Sequence, residues 1–240
     1  MYTLNNINTL DDVIEKYGTD ALRYYLNTDC AFGTDLRFDE TKMSSTWNFI
    51  NKLWNASRFV LLNLDGMTEV TLDNLKDEDK WILTKLEKTI HDTKKFMDKY
   101  QFNNASSALY EFTWNYFCDY YIEMAKYSID NKSTKSTLCF VLTGILKMLQ
   151  PFMPYVTDEI YSKLPVKETE DIMISSYPKY SKKYIFIDEV TLIAEFTEGA
   201  ALFSDIYASS GMKIVLSGTD SLGFYFAESE ELYDRAVTVH

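Results

Sequence analysis

Apolar residues recur at spacings of three and four along most of this chain, which predicts long amphipathic helices. The clearest run is WNFINKLWNASRFVLLNL at 47 to 64. There Phe49, Leu53, Ala56 and Val60 share one face, while Asn51, Lys52, Asn55 and Arg58 are free to meet something polar. Asp39 is the expected N-cap of this helix, near 40 to 63. Upstream, Thr9 can cap a short helix over LDDVIEKY, and Gly18 with Thr19 can end it and start DALRYYL. Downstream, DEDK offers caps for a helix near 78 to 99, and Asn103 or Asn104 for one near 105 to 128, where Ala105, Leu109, Phe112 and Tyr116 form a stripe. A further helix near 134 to 150 must end or bend at Pro151 and Pro154, and a short one through VTDEIYSKL closes the set. This is the periodicity of a helical bundle.

Near residue 180 the pattern changes. YIFIDEV at 184 to 190 is a compact apolar run, AALFSDIYASS reads as helix, Gly211 stops it, and MKIVLSGT at 212 to 219 is a second strand. Strand, helix, strand predicts one βαβ unit, too small to bury both faces of a parallel sheet. The expected fold class is therefore mainly α, a helical bundle with a small incomplete α/β tail.

Composition narrows the function. With 240 residues and 46% apolar content the chain can build a sizeable core. Cys30, Cys118 and Cys139 lie far apart, with no basis for a disulfide framework or a zinc site. A reducing, cytoplasmic setting is expected, with neither a leader nor a membrane span, because TLCFVLTGIL is too short to cross a bilayer. The formal net charge is −12, and residues 181 to 240 contribute 10 acids against 4 bases, so −6 falls on each part. That balance opposes general nucleic-acid binding and gives no reason to expect DNA as a partner. One local cluster runs against it: Lys85, Lys88, Lys94, Lys95 and Lys99, with His91 among them, on a single helical segment. The alternative is a solvated helix face.

The word WNASRF, with VIEKYGTDALRYYL at 13 to 26, GTDLRFDETK at 33 to 42 and LQPFMPYVTDEIYSKLP at 149 to 165, resembles valyl-tRNA synthetases, and the segments keep that family's order from about residue 4 to 180. The resemblance implies a remnant of the stem joining catalytic and anticodon domains at 1–45, a class I helical anticodon-binding domain at 46–180, and a separate segment at 181–240. It implies binding of a tRNA, valine-specific, at the anticodon arm, with Asn51, Lys52, Asn55, Arg58, Lys94 and Lys95 as candidate contacts. The full-length family uses ATP and magnesium. No HIGH-type or KMSKS-type signature stands in this chain, so no cofactor is expected for it and it should not activate valine alone. A separate catalytic chain is then a possible partner.

The tail resembles the Walker B to sensor part of bacterial AAA-type ATP-binding proteins. By that resemblance Asp188 would support a magnesium ion, Glu189 would polarise the attacking water, and Ser217 or Thr219 would hold the sensor position. No GxxxxGK[ST] occurs among the eight glycines, so the tail is not expected to hydrolyse ATP.

Arg58 can meet phosphate through its planar fork, Asn51 and Asn55 can reach sugar or base edges, and Trp54 can be a stacking platform. Against this, Trp47 and Trp54, seven apart, can form an apolar seam. The aromatic run WNYFCDYYIEMAKY at 114 to 127 reads as core, with Tyr116, Tyr120 and Met124 on one stripe and Phe117, Tyr121 and Ala125 on the next. Asp119 and Glu123, four apart, have no facing motif that would make a metal site. Asp35 and Arg37 read as structural contacts. Two other readings stay open: a stand-alone accessory tRNA-binding module, and a non-functional chimera of synthetase and ATPase fragments joined near 180.

Overall fold

A computed structural model describes residues 10–29 and 38–179, together with the backbone of 184–187 and 213–216. The chain divides into two units, 1–180 and 181–240. In the first, helices follow one another as α1 (Leu10–Tyr17), α2 (Thr19–Asp29), α3 (Glu40–Asn63), α4 (Asp77–Asp98) and α5 (Phe102–Glu111). A π-helical segment (Phe112–Tyr121) continues α5 into α6 (Ile122–Lys126), and α7 (Lys132–Leu149), α8 (Pro154–Ser162) and a 3₁₀ turn (Ile172–Ile174) complete the unit. Among the described residues of the second unit, β1 (Tyr184–Ile187) pairs in parallel with β2 (Lys213–Leu216), Tyr184 opposite Lys213.

Local chemistry accounts for several of these boundaries. Gly18 takes a φ of +84°, a left-handed conformation that closes α1 without a Cβ penalty, and its N–H donates to the Ile14 carbonyl at 2.8 Å. The Asp39 carboxylate accepts from the backbone N–H groups of Thr41 at 2.9 Å and Lys42 at 3.3 Å, the expected cap of α3. Asp79, inside the acidic stretch that opens α4, accepts from the Lys76 N–H at 3.3 Å. The start of α5 corrects the expectation: the helix begins at Phe102 after Gln101, with neither Asn103 nor Asn104 as cap. Tyr100, at a φ of +57°, has already turned the chain by then.

The bundle core forms around α7, where Leu138, Val141, Leu142, Ile145 and Leu149 are buried as their spacing predicts. Phe49, Leu53 and Val60 of α3 join it with no exposed surface, and Ala56 packs at its edge. Gly144 permits close approach of α4, since a Cβ there would meet the Leu86 side chain at 3.3 Å.

The π segment was not visible in the sequence. Its wider turn brings residues five apart as well as four apart onto one face, so Phe112, Phe117 and Ile122 are all buried. The predicted stripe of Tyr116, Tyr120 and Met124 consequently breaks up: Tyr120 is exposed while its neighbours pack against the core edge. Phe117, Tyr121 and Ala125 are core as expected. Tyr121 donates to the fully buried Asp79 carboxylate at 2.6 Å, and Thr134 donates to the same group at 3.4 Å. A buried acid is thereby satisfied from α4, the π segment and α7 together.

No helix among the described residues is long and apolar enough to cross a membrane. Asp35, Arg37, the expected helix between the two strands, Asp188, Glu189, Ser217 and Thr219 lie outside the described residues.

Candidate nucleic-acid interface

The outward face of α3 is built by the same periodicity that buries Phe49 and Leu53. Asn51, Asn55 and Arg58, four and three residues apart, point away from the core, with Asn55 and Arg58 exposed and Asn51 half-buried. Trp54 stands beside them at 39% exposure and Trp47 at 41%, so neither is sealed in an apolar seam.

Lys52 does not belong to this free surface. Its Nζ lies 2.6 Å from Asp119 Oδ1 and 3.7 Å from the centre of the Trp114 ring, which itself stacks on Tyr110 at 5.4 Å. The cation thus pins α3 to the π segment by an ion pair and a cation–π contact at once. Asp119, considered as half of a carboxylate pair, is committed to that pin, and Glu123 pairs with Lys126 at 2.6 Å. Among the described residues no group of acids, histidines or cysteines is arranged to hold a metal ion.

The lysines of α4 form a separate surface, on a helix that packs against α5, α7 and the π segment. Lys94 and Lys95 are exposed in its last turns, and Lys94 pairs with Asp98 at 3.0 Å. Lys85 instead turns over the Tyr116 ring at 5.1 Å. Lys94 and Lys95 therefore sit on a different helix from Arg58, on a patch whose charge is partly neutralised.

What lies against Arg58 comes from α8. Between α3 and α8 runs a groove of about 460 Å³, lined by Trp54, Ser57, Arg58, Leu61, Ile160 and Lys163 among others. Lys163, just past the end of α8, places its Nζ 5.1 Å from the Trp54 ring centre and 2.6 Å from Glu159 Oε1. Ser57 is 1% exposed, and its Oγ has no hydrogen-bond partner. Ser57 and Lys163 escaped sequence reasoning because their relation to Trp54 depends on the packing of α8. The only hint was a serine on the edge of an otherwise apolar face.

Comparison with known proteins decides the family. Residues 79–207 match the model of the anticodon-binding domain of tRNA ligase, more than half of the chain and beyond the break near 180. The chain belongs to this family. It is 50% identical over 183 residues to a valine-tRNA ligase of Bacillus cereus, covering 72% of this chain and 20% of that protein. A valine-tRNA ligase of Listeria monocytogenes is 45% identical over 196 residues, covering 78% of this chain and 22% of its own length. The chain thus spans about a fifth of the length of the curated relatives it matches. Among solved structures, LeuRS in its ternary complex with tRNA and LeuAMS from Agrobacterium radiobacter K84 superposes with a TM-score of 0.58, covering 83% of this chain and 26% of that one. At 16% identity that likeness shows a shared fold. The α3 face precedes the matched stretch and packs on it through the π segment, α7 and α8.

Proposed function

We propose that the helical unit binds the anticodon arm of a tRNA, valine tRNA in particular, as the anticodon-holding part of a valine-tRNA ligase. The observation that carries this reading is the family match over residues 79–207, joined to 50% identity with a valine-tRNA ligase over 183 residues. In this reading Asn51, Asn55 and Arg58 on α3 contact sugar, base edges and phosphate, and Lys94 and Lys95 add a second, weaker phosphate contact from α4. Lys52 serves by holding α3 against the π segment. Amino-acid activation, with its ATP and magnesium, belongs to a different part of the ligase or to a separate catalytic chain.

Binding of the purified chain to valine tRNA and to an unrelated tRNA, followed by fluorescence anisotropy at low and moderate salt, tests the proposal. The expected result is tighter binding of valine tRNA, weakened by salt and by Arg58→Ala. Equal, weak binding of both tRNAs would remove valine specificity from the reading, and no binding at low salt would remove the reading itself.

A further inference from the structure

We infer that the groove between α3 and α8 binds a small amphiphilic carboxylate, its hydrocarbon body set against Trp54 and the aliphatic side chains and its charged end drawn to Arg58, Lys163 and Ser57. The site goes beyond the proposed function and needs no RNA. Only its effect on tRNA binding rests on that reading.

Size points to a small molecule. The groove holds about 460 Å³, within the range of about 300–1,000 Å³ over which such ligands are found. A stable protein partner would have to spread over about 800 Å² of surface on its side, far beyond this one cleft.

The walls call for a hydrocarbon body. Trp54, Leu61, Leu62 and Ile160 line the groove, and Trp54 and Leu62 keep 39% and 71% of their surface open to water. Covering that surface is favourable for any apolar group that fits, and a bare inorganic anion gains nothing from it.

The polar side chains set the sign of the charge. Every one of them that lines the groove, from Ser57, Arg58 and Lys163 to the Trp54 indole, can donate a hydrogen bond, and among the described residues lining it none is acidic. A carboxylate, which only accepts, matches that set. Lys163 already holds Glu159 Oε1 at 2.6 Å, yet an ammonium has three protons to give, and the planar Arg58 fork suits two carboxylate oxygens at once. Ser57 adds an independent sign: its hydroxyl is buried on the wall of the groove with no hydrogen-bond partner. A buried hydroxyl so placed is a standing cost to the fold, which a carboxylate oxygen removes.

The test is methyl NMR of the full chain titrated with naphthaleneacetate, with its neutral amide and with acetate. The acid is expected to shift the methyl groups of Leu61, Leu62 and Ile160 and to saturate with a Kd of about 1 mM or tighter. The amide should bind about tenfold more weakly, the order of one hydrogen bond to a charged group, and acetate should cause no saturable shift. Arg58→Ala should weaken the acid by a similar factor and leave the amide unchanged, a split that loss of packing alone would not give. Leu62→Glu alters a side chain that is mostly exposed, so the fold should hold, and it brings a carboxylate of its own to the groove and should displace the acid. Equal binding of acid and amide, or no saturable shift with the acid, would overturn the inference. Anisotropy with valine tRNA then reads the consequence: the saturating acid occupies Arg58 and should weaken tRNA binding, while the amide at the same concentration should do so less. A chain that holds the acid but binds no tRNA loses the tRNA reading and keeps this site. One that binds tRNA and shows no saturable shift loses this site and keeps the reading.

Discussion

Asp20 on α2 accepts the backbone N–H of Val156 at 2.6 Å, and that of Tyr155 at 3.3 Å, so its carboxylate caps α8 from 136 residues away. The helix supplies no side-chain cap of its own, because Met153 stands at its N-cap and Pro154 opens it. A negative group there satisfies orphan donors and faces the positive end of the helix dipole. Arg23, three residues on, donates to the Pro151 carbonyl at 3.0 Å, so α2 grips the loop before α8 at two points. Burial pushes the Asp20 carboxyl up from its ordinary value, and the two backbone donors and Arg23 oppose that shift.

Asp20→Ala is expected to lower stability by about 1–3 kcal/mol, the cost of stranding buried donors. Asp20→Asn retains a carbonyl acceptor and should lose less. Urea unfolding of the two variants checks the order. Because α8 forms one wall of the Trp54 groove, hydrogen exchange in residues 154–162 should quicken before global unfolding in the alanine variant.

Lys52 and Asp119 should behave as a packing pair. The ion pair is partly exposed, with side chains 24% and 48% accessible, and is worth no more than about 1 kcal/mol. The Trp114 face adds a cation–π contribution of about 0.5–1 kcal/mol. A double-mutant cycle of Lys52→Ala with Asp119→Ala, read by urea unfolding, should give a coupling of roughly 1 kcal/mol or less. Lys52→Met should retain much of the packing, and valine tRNA binding should fall far less than in Arg58→Ala. A loss equal to that of Arg58→Ala would return Lys52 to the RNA-facing set.

Tyr121→Phe should cost about 1.5–3 kcal/mol, the range for a hydrogen bond to a charged group, because it withdraws the 2.6 Å donor from the buried Asp79 carboxylate. Thr134→Val removes the longer 3.4 Å donor and should cost less. Thermal melts of both variants test the order. A Tyr121→Phe variant as stable as the wild type would mean that Tyr121 acts through its ring packing alone.

The fold was legible wherever one helix face governs it. The span of α3, the Asp39 cap, the turn at Gly18 and the apolar face of α7 all follow from spacing and from single capping residues. Features requiring two elements at once were not legible. Lys52 looked like a surface cation because its helix gives no sign of Trp114 and Asp119 across the interface. The aromatic run reads as a period of four, which Phe117, Tyr121 and Ala125 keep, but the π segment adds a period of five through Phe112, Phe117 and Ile122, and nothing in FTWNYFCDYY marks it locally. Arg58 and its asparagines could be placed on an open face from α3 alone, whereas Ser57 and Lys163 became site residues only once α8 was in place.

The buried thiols and phenols set the response to alkali. Burial pushes Cys118 up to about 12 and Cys139 up to about 11, each from 9.0. It also raises Tyr24 and Tyr121, where for Tyr121 the hydrogen bond to Asp79 adds to the effect. Each group holds its proton more tightly folded than unfolded, so its contribution is complete below about pH 9 and is lost as pH climbs towards 11 and 12. Urea midpoints should therefore be flat in this respect from pH 7 to 8.5 and fall thereafter, each such group adding a slope of about 1.4 kcal/mol per pH unit within its own window. Cys118→Ala should make the fall shallower. The same burial makes Cys118 and Cys139 poor nucleophiles, and iodoacetamide at pH 8 should leave both peptides unmodified by mass spectrometry until urea unfolds the chain. Rapid labelling of Cys118 in the native state would show that the π segment around it opens far more readily than the burial of its side chain implies.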